Sequence, residues 1–250
     1  MKTVYFRFYE ELNDFLPPEK RKLQFEHTFI DRTSVKDMIE SLGAPHSEID
    51  LILVNGKSVN FSHIVNDKDE ISVYPVFESL DISEVQHLRP EPLREPKFIP
   101  DVHLGKLARY LRMAGFDVLY KNNFTDNDLV KISLDENRTI LTQDRDILKR
   151  NEVTHGYWVR NKTAEDQLKE VIERFQLKNL INEFTRCLEC NTLLNKVEKE
   201  SIISQLPPNI KEWHNEFYEC PSCDKVFWKG RHYERMEKII SEIKMTLYKK

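Results

Sequence analysis

Apolar and polar positions alternate from the start of the chain. Val4, Phe6 and Phe8 lie between Tyr5, Arg7 and Tyr9, a period of two that predicts a half-buried strand. Leu23, Phe25 and Phe29 keep an odd-numbered alternation and predict a second strand. The period then lengthens. Val35, Met38, Ile39 and Leu42 form a helical stripe, opened by Ser34 with Asp37 three residues on, and Gly43 stands where a C-terminal cap belongs. Ile52, Leu53 and Val54 run into Asn55-Gly56, a hairpin signal of the type I′ kind, and Ile71, Val73 and Tyr74 predict a last strand ending near Pro75.

Residues 81–97 place Pro90, Pro92 and Pro96 among charges, which precludes a continuous helix or strand and predicts a semi-rigid linker. Residues 98–183 alternate strand and helix. Phe98 and Ile99 lead to Asp101; Leu104, Leu107, Ala108 and Leu111 form an amphipathic helix with Gly115 past its end. Asp117 to Tyr120, Thr139 to Thr142 and Tyr157 to Val159 give three more strands. Helices carry Leu129 and Ile132, then Leu168, Val171, Ile172 and Phe175, with Thr125 and Asp128 placed to cap the first of them. Such alternation predicts a parallel sheet covered by helices. Residues 184–250 hold all four cysteines and then a charged helical tail from about Tyr233. The expected organisation is thus 1–80, a linker at 81–97, 98–183 and 184–250.

The 250 residues are 40% hydrophobic and 32% charged, enough apolar surface for ordinary cores. No run of about 18 apolar residues occurs, so no membrane-spanning segment is expected. Met1 to Tyr5 enter the first strand directly without a signal-peptide layout, and a reducing cytoplasmic compartment is the expectation. The net charge of −4 becomes informative once divided. Residues 1–80 hold 9 basic against 14 acidic side chains, 98–183 hold 14 of each, and 184–250 hold 12 against 10. No part is strongly basic, so contact with nucleic acid must be local rather than spread over a charged face. Arg109, Arg112, Arg145, Lys149, Arg150 and Arg160 are scattered cations whose default is a solvated surface, although some could face phosphates.

Cys187-Leu188-Glu189-Cys190 and Cys220-Pro221-Ser222-Cys223 are two C-x-x-C pairs. Each brings two thiolates to one ion, and two pairs close a tetrahedron with bonds of roughly 2.3 Å, leaving no open position. A structural zinc is therefore expected. The spacer of 29 residues between the pairs, including Pro207-Pro208, exceeds the usual span of about 15–20 and predicts an insertion. Disulfides or redox pairs are the competing readings. Disulfides conflict with a reducing compartment, and a redox pair belongs at a strand-to-helix junction. His214 and His232 are superfluous beside four cysteines. Four thiolates and one zinc also cancel the formal +2 of residues 184–250, so the module is no strong electrostatic clamp.

In open α/β sheets ligands bind beyond the carboxyl ends of the strands. Asp101 follows the first strand of the central region, Asp144 and Asp146 follow the third, and Asp126 or Asp128 begins a helix whose N-terminus points to the same edge. Carboxylates brought together there repel unless a divalent cation neutralises them, and Mg²⁺ or Mn²⁺ prefers such oxygen ligands. Taken singly, each aspartate is as well suited to capping a helix, Thr142 could cap the segment holding Asp144, and only convergence on one edge separates the two readings. His103 lies beside Asp101 and is equally an exposed helix-start histidine. Asp117 sits at the opposite end of its strand and is expected to be a structural turn residue.

The N-terminal order of strand, strand, helix and strands, with Asn66 to Pro75, resembles the β-grasp of ubiquitin-like sulfur carriers. Those carriers need a free terminal Gly-Gly, whereas the equivalent segment here is Val76-Phe77-Glu78-Ser79-Leu80 and runs on into more chain, so a docking or structural role is expected. Phe98 to Asp117, Asp126, Arg138 to Asp146, Arg186 to Asn191, Cys220 to Cys223, Phe227 to Gly230 and His232-Tyr233 together resemble the Mut-seven C-terminal ribonuclease domain family. That family is PIN-like, carries a zinc ribbon, and is known with a ubiquitin-like domain in front. The resemblance implies an α/β architecture of N-terminal β-grasp, central PIN-like domain with a parallel sheet, and C-terminal zinc ribbon. It implies a metal-dependent endoribonuclease acting on RNA, with Asp101, Asp126, Asp144 and Asp146 catalytic and Asp101 and Asp144 holding Mg²⁺ or Mn²⁺. Cys187, Cys190, Cys220 and Cys223 would hold zinc, and the β-grasp would engage a protein partner. A PIN-like domain that has lost catalysis and kept RNA binding or scaffolding is the rival, and cleavage of a mixed RNA pool separates the two.

Overall fold

The computed structural model describes residues 1–75, 88 and 96–248. Val76 to Leu80 and most of the 81–97 stretch, with Pro90 and Pro92, lie outside the described residues. The chain forms two compact units. One comprises Met1–Arg94, Val130–Ile140 and Asp144–Trp158; the other comprises Glu95–Leu129, Leu141–Gln143 and Val159–Lys250.

In the first unit, β1 (Lys2–Phe8), β2 (Phe25–Phe29), α1 (Val35–Ser41), β3 (Ile49–Val54), β4 (Lys57–Ser58) and β5 (Glu70–Pro75) follow in order. The sheet order is β2-β1-β5-β3-β4, with β1 and β5 parallel at its centre and the other pairings antiparallel. This is the ubiquitin-like arrangement. Its core joins Val4, Phe6 and Phe8 of β1 to Val35, Met38 and Ile39 of α1 and to Ile52, Ile71 and Val73. Ser34 caps α1, its Oγ accepting from Asp37 N at 3.1 Å and donating to Asp37 Oδ2 at 2.6 Å. Asn55 and Gly56 take φ of 51° and 76°, as a type I′ turn between β3 and β4 demands. Leu23 departs from the expected alternation: it precedes β2 and is 58% exposed, because pairing with β1 begins only at Phe25.

The chain continues through β6 (Lys97–Pro100), α2 (Gly105–Met113), β7 (Asp117–Val118), α3 (Asp126–Glu136), β8 (Thr139–Thr142), α4 (Arg145–Leu148), β9 (Gly156–Trp158) and α5 (Ala164–Arg174). The strand order is β7-β6-β8-β9, with β6 and β7 parallel. Strand order therefore reverses at β6, and the carboxyl ends of β6 and β8 flank a topological switch point. Pro100 closes β6 without breaking the ladder, since Asp101 N donates to Leu141 O at 2.9 Å.

After α5 come β10 (Asn195–Val197), α6 (Lys199–Ile202), α7 (Pro208–Trp213), β11 (Phe217–Glu219), β12 (Val226–Trp228) and α8 (Arg231–Tyr248). The three strands pair antiparallel in chain order, a ribbon with its own small core of Ile202, Leu206 and Phe217. The long spacer between the cysteine pairs is accounted for by α6 and α7, inserted between two paired strands. Pro207 and Pro208 serve the start of α7, where a missing N–H costs nothing. Among the described residues no helix is long and apolar enough to cross a membrane.

Gly115 ends α2 in the left-handed region, with φ of 98°. The segment leading to the ribbon crosses directly above it: Asn182 N donates to Ala114 O at 3.0 Å and Phe184 N to Met113 O at 2.9 Å, filling carbonyls left orphaned by the helix end. A Cβ on Gly115 would lie 2.1 Å from Asn182 O. Gly115→Ala is accordingly expected to destabilise the chain by at least about 2 kcal/mol, read as a lower denaturation midpoint; an unchanged midpoint would show that this crossing carries no stability.

Candidate functional site

The four cysteines occupy two turns of the same construction. Cys187 N donates to Thr192 O at 2.8 Å and Asn191 N to Cys187 O at 3.0 Å; Cys220 N donates to Lys225 O at 3.0 Å and Asp224 N to Cys220 O at 2.9 Å. The residue after each second cysteine is left-handed, Asn191 with φ of 75° and Asp224 with φ of 56°. Asn and Asp are the non-glycine residues that tolerate this conformation best, so the turn is written into the sequence as C-x-x-C followed by Asn or Asp.

The sulfur atoms converge. Cys190 Sγ lies 3.2 Å from Cys220 Sγ and 3.7 Å from Cys223 Sγ, and Cys187 Sγ lies 3.6 Å from Cys223 Sγ. All four fall within 4.8 Å of one another. A disulfide needs about 2.05 Å. A tetrahedron with metal–sulfur bonds of about 2.3 Å has edges of about 3.8 Å, which these separations approach. The cluster can hold a metal ion. Burial pushes the Cys187 thiol up to about 12. Burial also opposes ionisation of Cys190, but hydrogen bonds from Thr192 and the neighbouring thiols outweigh it and bring that thiol to about 6. His214 and His232 stand outside the group.

Asp101 is 7% exposed at the end of β6. Its Oδ1 accepts from His103 N at 2.8 Å, which caps the short 3₁₀ turn Val102–Leu104. Its Oδ2 accepts from the Thr142 hydroxyl and from Gln143 N at 3.2 Å. The carboxylate thus grips the end of β8, one residue before Asp144. The cap of α4 is Asp144 rather than Thr142, its Oδ1 accepting from Asp146 N at 2.8 Å. Asp144 and Asp146 are exposed and belong to the first unit, whereas Asp101 and Asp126 belong to the second. Asp126 is exposed in the first turn of α3, where Thr125 and Asp128 form the capping pair. Among the described residues, the cysteines are the group of candidate metal ligands found together. His103 is exposed. Asp117 does structural work: its carboxylate accepts from Asn191 Nδ2 at 2.9 Å and lies 3.8 Å from the Arg186 guanidinium.

Two family models match the chain. The Mut7-C RNAse domain matches residues 96–240, and the Mut7-C ubiquitin domain matches residues 1–81. The chain belongs to the Mut7-C RNAse domain family. No curated protein and no solved structure matches it. The RNAse match begins at β6, contains Asp101, Asp126, Asp144 and Asp146, and reaches through both cysteine turns into α8. The ubiquitin match spans β1 to β5.

One residue of the Mut7-C domain escapes sequence reasoning. Arg112, expected among the solvated cations, is 4% exposed. Its Nε donates to Val118 O at 2.9 Å, and one terminal nitrogen donates to Leu188 O at 3.1 Å and Glu189 O at 2.8 Å. Burial lowers its pKa, opposed by the negative charge of Cys187, Cys190, Glu189 and Asp117. The guanidinium remains charged and so places a fixed cation beside a cluster that becomes anionic when its thiols ionise. The only sequence signal was its place in the α2 stripe, one residue after Leu111. Arg112→Met is expected to strand three carbonyls and destabilise the chain by about 3 kcal/mol, with faster labelling of Cys187 by a thiol reagent. Arg112→Lys should recover only part of the loss, because an ammonium lacks the planar fork. Wild-type stability and labelling in Arg112→Met would refute this linkage.

Proposed function

We propose that this Mut7-C protein is a metal-dependent endoribonuclease that hydrolyses RNA phosphodiester bonds. Asp101, Asp126, Asp144 and Asp146 are its catalytic carboxylates, and Asp101 and Asp144 hold Mg²⁺ or Mn²⁺. Cys187, Cys190, Cys220 and Cys223 hold one structural zinc, the ion favoured by four thiolates in closed tetrahedral array. The observation that carries the reading is the buried Asp101 at the carboxyl end of β6, beside the switch point and inside the stretch matched by an RNAse family. The divalent ion, when bound, supplies charge neutralisation and water activation. The chain's own part is to hold Asp101 still. Three donors fix its orientation before any ligand arrives, and an ionised carboxylate with about four lone-pair sites still has capacity left. Asp126, Asp144 and Asp146 add negative charge at exposed helix starts, suited to drawing a cation from solvent.

The rival reading is a Mut7-C protein that binds RNA or scaffolds without cutting. It is favoured by the use of Asp144 as a helix cap, its Oδ1 accepting from Asp146 N. The compartment proposed is the cytoplasm, where four free thiols persist, and a protein partner is proposed for the ubiquitin-like region.

Cleavage of a mixed RNA pool with Mg²⁺ or Mn²⁺, with EDTA as the blank, decides between the readings. Asp101→Asn and Asp144→Asn should each lower the rate by about a hundredfold or more, since even partners one shell out cost 10–100-fold. Asp117→Asn, which keeps size and a hydrogen-bonding oxygen, should cleave like wild type. Wild-type rates in both ligand variants would remove the aspartates from the chemistry, and RNA binding without cleavage under any divalent ion would favour the rival.

Elemental analysis of protein purified without chelator should find about one zinc per chain. Cys220→Ser should lose it and loosen the ribbon, seen as early proteolysis within residues 184–250. Zinc-free protein with four titratable thiols would overturn the assignment.

A further inference from the structure

The first unit does not end with the ubiquitin-like sheet. It also takes in Val130–Ile140 and Asp144–Trp158, which lie within the stretch matched by the RNAse domain. The contacts that reach α4 and β9 include four, and Lys36 Nζ also donates to Asn151 Oδ1 between them at 2.5 Å. Glu48 is 1% exposed, and its Oε1 accepts from Trp158 N in β9 at 2.6 Å. The Ser47 hydroxyl donates to Leu148 O, the last residue of α4, at 3.0 Å. The Phe15 ring packs against the Trp158 ring with centroids 5.2 Å apart. The Arg145 guanidinium lies 3.8 Å from the Trp158 centroid and 5.3 Å from that of Phe15. Gly156 marks how closely the parts approach, since a Cβ there would lie 2.4 Å from Leu148 Cδ2 and 3.3 Å from Ser47 Oγ.

These contacts are not those of a tethered bead. A carboxylate as buried as Glu48 costs several kcal/mol unless hydrogen bonds meet it, and one of its donors is an amide 110 residues away. Arg145 stands between Asp144 and Asp146 and opens α4. Holding its guanidinium against two rings, while Ser47 holds the carbonyl at the other end of the helix, fixes a four-residue helix that could not hold itself.

We infer that the ubiquitin-like module is an internal positioning element for the carboxylates of α4: Phe15, Ser47 and Glu48, acting through Arg145, Leu148 and Trp158, set the pose of Asp144 and Asp146. The inference rests on the reading that Asp144 binds the divalent ion. Phe15 and Glu48 are positioning residues; they touch neither metal nor RNA. In this role the module serves its own chain, and its faces away from α4 are left for other partners.

The test uses the full-length protein and two readouts, Mn²⁺ affinity from the electron paramagnetic resonance of free Mn²⁺ and steady-state cleavage of RNA. Phe15→Ala and Glu48→Ala should weaken Mn²⁺ binding by about tenfold and lower kcat by a similar factor, with KM for RNA within about twofold. Glu48→Gln keeps an oxygen acceptor for Trp158 N and should restore most of both. Ile71→Ala thins the same core without removing any of the four contacts, and should lower the melting temperature while leaving Mn²⁺ affinity unchanged. If wild type binds Mn²⁺ through Asp144 and the Phe15 and Glu48 variants match Ile71→Ala in affinity and kcat, the positioning role is overturned and the nuclease reading stands. If the variants weaken Mn²⁺ binding but wild type never cuts RNA, the positioning role stands and the nuclease reading falls. If wild type binds no Mn²⁺, or Asp144→Asn binds it equally well, both fall.

Discussion

A guanidinium in a closed interior must be met by acceptors from every side, and this constraint organises the second unit. Arg112 lies on α2, and the carbonyls that satisfy it come from Val118 at the end of β7 and from Leu188 and Glu189 inside the first cysteine turn. The turn is held by its own backbone bonds, and in that shape it presents two carbonyls to the cation. Asn191 reinforces the same seam, its side chain accepting from Val118 N and donating to Asp117. The ribbon's cysteine end and the sheet that carries Asp101 are therefore stabilised by one set of bonds. Helix α2 needs the ribbon segment for its last carbonyls as much as the cysteine turn needs Arg112.

Asp101 answers the same constraint with the opposite sign. A buried carboxylate at a strand end is tolerated because a hydroxyl and two amides converge on it. Two of these donors come from the last residue of the neighbouring strand and the residue after it. The same bonds that make the anion affordable also fix the carboxyl ends of β6 and β8 to each other, so the switch point is rigid before it has anything to bind. Under the proposed nuclease reading, that is where preorganised negative charge is useful.

The ubiquitin-like sheet repeats the pattern through Glu48. It has a core, a capped helix and a tight hairpin, and it buries a carboxylate that accepts from an amide of β9. The arrangement explains why the chain's compact units do not follow its linear order of domains: α4 and β9 pack with residues that precede them by about a hundred positions.

Local physics made much of this legible from the sequence. Period-two alternation set β1, the helical stripe and Ser34-Asp37 set α1, Asn55-Gly56 set the hairpin, and each C-x-x-C set one turn of the cysteine cluster, because each depends on neighbours within a few residues. The same reasoning misplaced Leu23, whose exposure follows from where β2 meets β1, and Thr142, whose hydroxyl turned to Asp101 rather than to the start of α4. It left Arg112 and Arg145 among the surface cations and gave Phe15 and Glu48 no role. Those assignments depend on which distant carbonyl, amide or ring arrives beside a side chain. The sequence by itself determined the elements, the turns and the chemistry available to each; the tertiary structure decided which charges are buried and what satisfies them, because a buried charge is settled by partners that only the folded chain brings within hydrogen-bond reach.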